Sequence, residues 1–61
     1  MNFTTAVAHS KATGQKIRHM HFTDNEWFVW KNGCLRCEMG YDMSRWYQGE
    51  AWQEENWSIV E

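Results

Sequence analysis

Polar and apolar positions along the 61-residue chain alternate in four short stretches and recur at helical spacing in two others. Near the start, Phe3, Ala6, Val7, Ser10 and Ala12 form one face of a helix. Asn2 or Thr4 serves as its cap, and Gly14 is placed to end it in a left-handed conformation. Gln15 to Phe22 then alternates, with Ile17, His19 and His21 on one side and Lys16, Arg18 and Met20 on the other. A Thr23-Asp24-Asn25 turn leads to two further strands, Glu26–Trp30 and Cys34–Met39, around Lys31-Asn32-Gly33. With Asn32 and Gly33 in a type I′ turn, Lys31 pairs with Cys34. Phe28, Trp30, Leu35, Cys37 and Met39 then share the core face. Trp27, Val29, Cys34, Arg36 and Glu38 share the other.

Gly40-Tyr41-Asp42 begins a connection. Ser44 to Asn56 contains a helical segment, with a break at Gly49, and Trp57-Ser58-Ile59-Val60 reads as a last strand. The pattern predicts a single small α+β domain over residues 1–61. Its sheet is mostly antiparallel, with an N-terminal helix and a short C-terminal helix before the last strand.

A chain this short rarely folds on its core alone and needs a metal, disulfides, a partner subunit or dense packing. Five Trp, three Phe and two Tyr supply the packing material. They exceed what one small core is expected to hold, so a subunit interface or ligand pocket is predicted to take the rest, and homo-oligomerisation is the favoured staple. The net charge is −2 and no two Lys or Arg are adjacent, which argues against binding duplex nucleic acid. From Glu50 to Glu61 there are four glutamates and no Lys or Arg, an acidic solvated end. No stretch reads as membrane-spanning and no secretory signal is evident. The expected compartment is therefore the cytoplasm, with both cysteines as reduced thiols.

Cys34-Leu35-Arg36-Cys37 has the spacing of half a zinc knuckle, and His19 with His21 would complete a Cys₂His₂ set. The hairpin register opposes this, because it sends the two thiols to opposite faces of one strand. No thioredoxin-like βαβ pattern surrounds them. Neither a metal nor a cofactor is expected. The three histidines lack a nucleophile elbow, a triad order or a metal signature, so no catalytic residue is assigned. Trp30 is the best core candidate. Trp27, Trp46 and Tyr47, taken with Arg18, Arg36 and Arg45, make a set suited to stacking bases and holding phosphates. An oligomer interface would use the same residue types.

Three segments, "NFTTAVAHSKATGQKIRH", "EWFVWKNG" and "EAWQEENWSIVE", resemble the layout of small phage proteins of the second Thoeris anti-defence family. Gly14-Gln15-Lys16-Ile17-Arg18 matches that family's step from helix to strand, and Asn56-Trp57-Ser58-Ile59-Val60 matches its closing strand. The likeness runs over nearly the whole chain in short motifs. It departs where His21 or Phe22 stands in the region of a usual Trp, where Asn56 replaces an acidic residue, and in its shorter connection after the hairpin.

The resemblance implies a non-enzymatic sponge that binds a cyclic nucleotide immune signal, a cyclic ADP-ribose isomer or a cyclic dinucleotide, without cleaving it. It also implies a homotetramer acting in an infected bacterial cell. On that reading Trp27 and Trp46 stack a base, Arg18 and Arg36 hold phosphates, and His21 and Asn56 supply orienting hydrogen bonds. The alternative is an inhibitor that binds a host defence complex, of restriction or CRISPR type, through the aromatic and acidic surface.

Overall fold

The computed structural model describes residues 1–61. Its elements in chain order are α1 (Phe3–Thr13), β1 (Lys16–His19), β2 (Phe28–Lys31), β3 (Cys34–Cys37), α2 (Ala51–Glu54) and β4 (Trp57–Val60). The four strands form one antiparallel sheet in the order β3-β2-β1-β4. This is the small α+β architecture that the alternation predicts.

Local chemistry sets both ends of α1. The Asn2 side-chain oxygen accepts the Thr5 N–H at 2.8 Å, satisfying one of the orphan donors of the first turn. Gly14, at φ 75°, turns left-handed and donates its N–H to the Ser10 carbonyl at 2.7 Å. Between these caps the helix lays Ala6 and Ser10 onto the sheet, with Phe3 and Val7 alongside. The β2–β3 hairpin also follows the sequence. Asn32 and Gly33 both have positive φ, 54° and 83°, as a type I′ turn requires. The pairs are Lys31 with Cys34, Trp30 with Leu35, Val29 with Arg36 and Phe28 with Cys37.

The strands are shorter than the alternation suggests. β1 stops at His19 because the His19 ring intervenes: its Nδ1 accepts the His21 N–H at 3.1 Å. The Phe22 N–H meanwhile turns back to the His19 carbonyl at 2.9 Å. A side chain that captures a nearby backbone donor diverts the chain from its ladder. β3 ends at Cys37, where the Gly40 N–H returns to the Cys37 carbonyl. Residues 41 to 43 then cover the outer edge of β3, through Cys37 N–H to the Tyr41 carbonyl and Met43 N–H to the Leu35 carbonyl. At the other edge, the Met1 amino group and carbonyl bond the Trp57 carbonyl and N–H, each at 3.0 Å.

The stretch Ser44–Asn56 is mostly irregular. Only the single turn of α2 is helical, and the preceding Gly49 sits at φ 74°. Gln53, almost fully buried, organises the rest. Its Oε1 accepts N–H groups from Gln48 and Glu50, and its Nε2 donates to the Trp46 carbonyl at 3.0 Å.

The core is Ala6, Ile17, Phe28, Leu35 and Trp57. Trp57, not Trp30, takes its centre, and its indole N–H donates to the Gln53 carbonyl at 2.7 Å. Trp30 is half-buried at the border. Phe3, Phe22, Phe28, Trp46 and Trp57 interlock, mostly edge to face. More rings fit inside one subunit than composition suggests, since tilted rings pack with little waste.

Candidate nucleotide-binding face

The helices and the buried rings occupy one face of the sheet. Strand alternation sends Lys16 and Arg18 of β1, Val29 and Lys31 of β2, Cys34 and Arg36 of β3, and Ser58 and Val60 of β4 to the other. Four of the chain's six Lys and Arg residues therefore stand on one open face.

A groove of about 510 Å³ lies on that face, with Lys16, Trp27, Val29, Lys31, Arg36 and Gly40 among its lining residues. It opens where β1 and β2 part. The two strands share a single pair, Ile17 with Phe28, and the next rung would join Gln15 to Trp30. Ser10 from α1 fills that rung instead. Its hydroxyl donates to the Gln15 carbonyl at 2.7 Å and accepts the Trp30 N–H at 2.9 Å. One fully buried helical serine thus splices two splayed strands beside the groove.

Three groups in or beside the groove have defined geometry. The Arg36 guanidinium is held by two backbone carbonyls, Nε to Lys31 and Nη1 to Gly40, each at 3.0 Å. Three of its five N–H donors remain, on a head that is already oriented. The Lys16 ammonium lies 4.3 Å from the centre of the Trp27 ring, a cation–π contact. Arg18 is anchored more loosely, to the Phe22 carbonyl at 3.3 Å and the Asp24 carboxylate at 3.4 Å. The exposed Asp24 partner contributes little to stability and competes weakly for the guanidinium.

Of the six residues the sequence points to, two come together in the groove and a third stands on the same face without lining it. Trp27 and Arg36 line the groove. Arg18 shares their face, and the register sets it across from Trp27. The other three lie elsewhere. Trp46 is packed on the core side, 5.0 Å from Phe28 and 5.8 Å from Trp57 between ring centres, so it does not pair with Trp27 across one base. His21 is exposed at the turn after β1, its ring 5.2 Å from that of His19 and 6.4 Å from that of Trp52. Asn56 adopts φ 70° between α2 and β4, and its carbonyl accepts the Met20 N–H at 3.0 Å. His21 and Asn56 therefore sit by the end of β1 remote from Lys16. Two residues that the sequence reading did not single out, Lys16 and Lys31, belong to the groove. Alternation signals both, because Lys16 shares its face with Arg18 and Lys31 pairs with Cys34.

The two thiols do part, as the register requires. Cys34 pairs with Lys31 on the open face and Cys37 with Phe28 on the core face. No three His, Cys, Asp or Glu side chains converge as a ligand set. His19 is fully buried among Phe22, Trp52 and Trp57, with its Nε2 unpartnered. Beyond the β3 edge, hydrogen bonds from the Ser44 hydroxyl and N–H hold the Asp42 carboxyl below its ordinary range. Desolvation opposes these bonds less strongly, and Arg36 and the Cys34 thiol add smaller lowering effects.

A fixed guanidinium, two ammonium groups and an indole on one surface, with Glu38 the one acid lining the groove, leave it net positive and able to grip an anion joined to a flat ring. No helix of the chain is long and apolar enough to cross a membrane. No protein-family model, curated protein or solved structure matches the chain.

Proposed function

We propose that this protein binds a cyclic nucleotide immune signal on the open face of its sheet and sequesters it without cleaving it. The observation that carries this reading is the convergence of Trp27 with Lys16, Lys31 and the prefixed Arg36 around one groove. A base stacked on an aromatic side chain gains about 1–3 kcal/mol. A hydrogen bond to a charged group adds about 1.5–3 kcal/mol. One indole and one oriented arginine thus supply about 2.5–6 kcal/mol before the cost of association is met, and the ammonium groups of Lys16 and Lys31 must add to them. The family resemblance supplies the rest of the proposal: a phage anti-defence role, a cyclic ADP-ribose isomer or cyclic dinucleotide as ligand, and a homotetramer as the working form.

Calorimetric titration with both ligand types tests it, followed by mass spectrometry of the recovered ligand. Binding with the ligand intact is expected, and Arg36→Gln should weaken it about tenfold to a hundredfold. Absence of heat with every cyclic nucleotide tried would remove the proposal.

A second reading has its own observation. Trp52 is 48% exposed and lies beside exposed His21, with Glu55 close by in the chain. Such a surface suits a protein partner, in keeping with an inhibitor of a host defence complex. Pull-down from host lysate separates the two, since a sponge returns a small molecule and an inhibitor returns a stoichiometric protein.

A further inference from the structure

The indole that suits a base is already occupied by a cation of the same chain. Lys16 holds its ammonium 4.3 Å from the Trp27 ring centre, and both residues line the groove. Lys16 is exposed, and its ammonium makes no hydrogen bond or ion pair within the chain, so the contact with Trp27 is the tie that holds it there. Arg36 differs, because two carbonyls fix its head whether or not a ligand is present.

We infer that Lys16 is a phosphate-operated cover on Trp27, which makes the groove select phosphorylated nucleotides over the corresponding nucleosides. This deepens the nucleotide-binding proposal and rests on it. An exposed cation–π contact is weaker than a charge-assisted bond to phosphate, and weaker than a base stack. A phosphate at the β1 side of the groove therefore draws the ammonium off the ring and frees the indole for the base. A nucleoside offers nothing to draw it away, so part of its stacking energy goes into displacing the cation and its net gain shrinks. Arg36 serves as the standing phosphate fork, and Lys16 sets the selectivity.

The test uses three probes, adenosine, adenosine 5′-monophosphate and a cyclic dinucleotide, titrated by calorimetry into the wild-type protein, Lys16→Gln and Lys16→Arg. In Lys16→Gln the two phosphorylated probes should weaken about tenfold, the loss of one charge-assisted contact. Adenosine should bind more tightly by about twofold to fivefold, since the covering cation–π contact is gone. Lys16→Arg keeps the charge and the ring contact, and should keep the wild-type preference. With 5-fluorotryptophan incorporated, the Trp27 fluorine resonance, assigned by its loss in Trp27→Phe, should move the same way on adding nucleotide as on substituting Lys16 by Gln.

Equal weakening of adenosine and the phosphorylated probes in Lys16→Gln would reduce Lys16 to general packing or charge and overturn the inference. Unchanged affinities for all three would do the same. If neither the wild-type protein nor any variant binds a probe, the nucleotide reading itself fails and takes this inference with it.

Discussion

A single hydroxyl ties the helix to the two strands that part beside the groove. Ser10 is fully buried in α1 and stands in for the missing rung between Gln15 and Trp30. Replacing it with Ala leaves a carbonyl and an N–H without their partner at a partly buried site. Each unsatisfied buried group costs about 1–3 kcal/mol. Ser10→Ala is therefore expected to lower unfolding free energy by about 2–4 kcal/mol in urea, at the m-value of the wild-type protein. A loss under 0.5 kcal/mol would mean that the strands close directly once the hydroxyl is gone. Nothing in the sequence distinguishes this role. Ser10 looks like one small residue on an amphipathic face, and its partners lie five and twenty residues away. The same holds for Trp57 and Trp46. Both are bulky rings near polar residues, and only the chain path brings them to the core.

Elements whose instructions are local were readable in advance. Asn2 and Gly14 bracket α1, and Asn32-Gly33 sets the hairpin register, because caps and tight turns depend on residues two to four apart. The register in turn gave the open face its Lys, Arg and Trp. Elements governed by distant partners were readable only in outline: the short helix before the last strand forms, but its extent is set by contacts elsewhere in the chain. The Ser44–Asn56 stretch has helix-forming residues, yet Gln53 gathers its backbone into a loop and leaves one helical turn. Grouping Trp46, His21 and Asn56 with Trp27 went astray for the same reason, since residue type suggested a shared task and the backbone separates them. The hairpin offers a direct test of its local control. Gly33→Ala places a Cβ at φ 83°, where open space removes any clash and only backbone strain remains. A loss of about 1–2 kcal/mol in thermal or urea unfolding is expected. Unchanged stability would show that the turn relaxes to another type.

At the scale of the whole molecule, cations gather on one face against a small negative net charge, with Glu38 the one acid that lines the groove. The chain carries −2, yet four of its six cations share the open face while residues 50 to 61 carry four acids and no base. The net charge alone would discourage an anionic ligand, and the distribution invites one. Contacts to phosphate by exposed cations weaken as salt screens them. Raising salt from 50 to 500 mM should reduce affinity for a cyclic dinucleotide about tenfold or more, and Lys31→Gln should flatten that dependence. An affinity insensitive to salt would shift the weight from the cations to stacking.

The opposed cysteines carry one more consequence. Cys34 and Cys37 lie three residues apart along an extended strand, so their α-carbons are about 10 Å apart, too far for a bridge without backbone movement. Oxidant acting on the folded protein has no internal disulfide within reach. Closing one becomes possible only in molecules whose third strand has peeled away. Under mild oxidation an internal bridge should therefore form no faster than the third strand detaches, and a bridge closing at once in the folded protein would contradict the register.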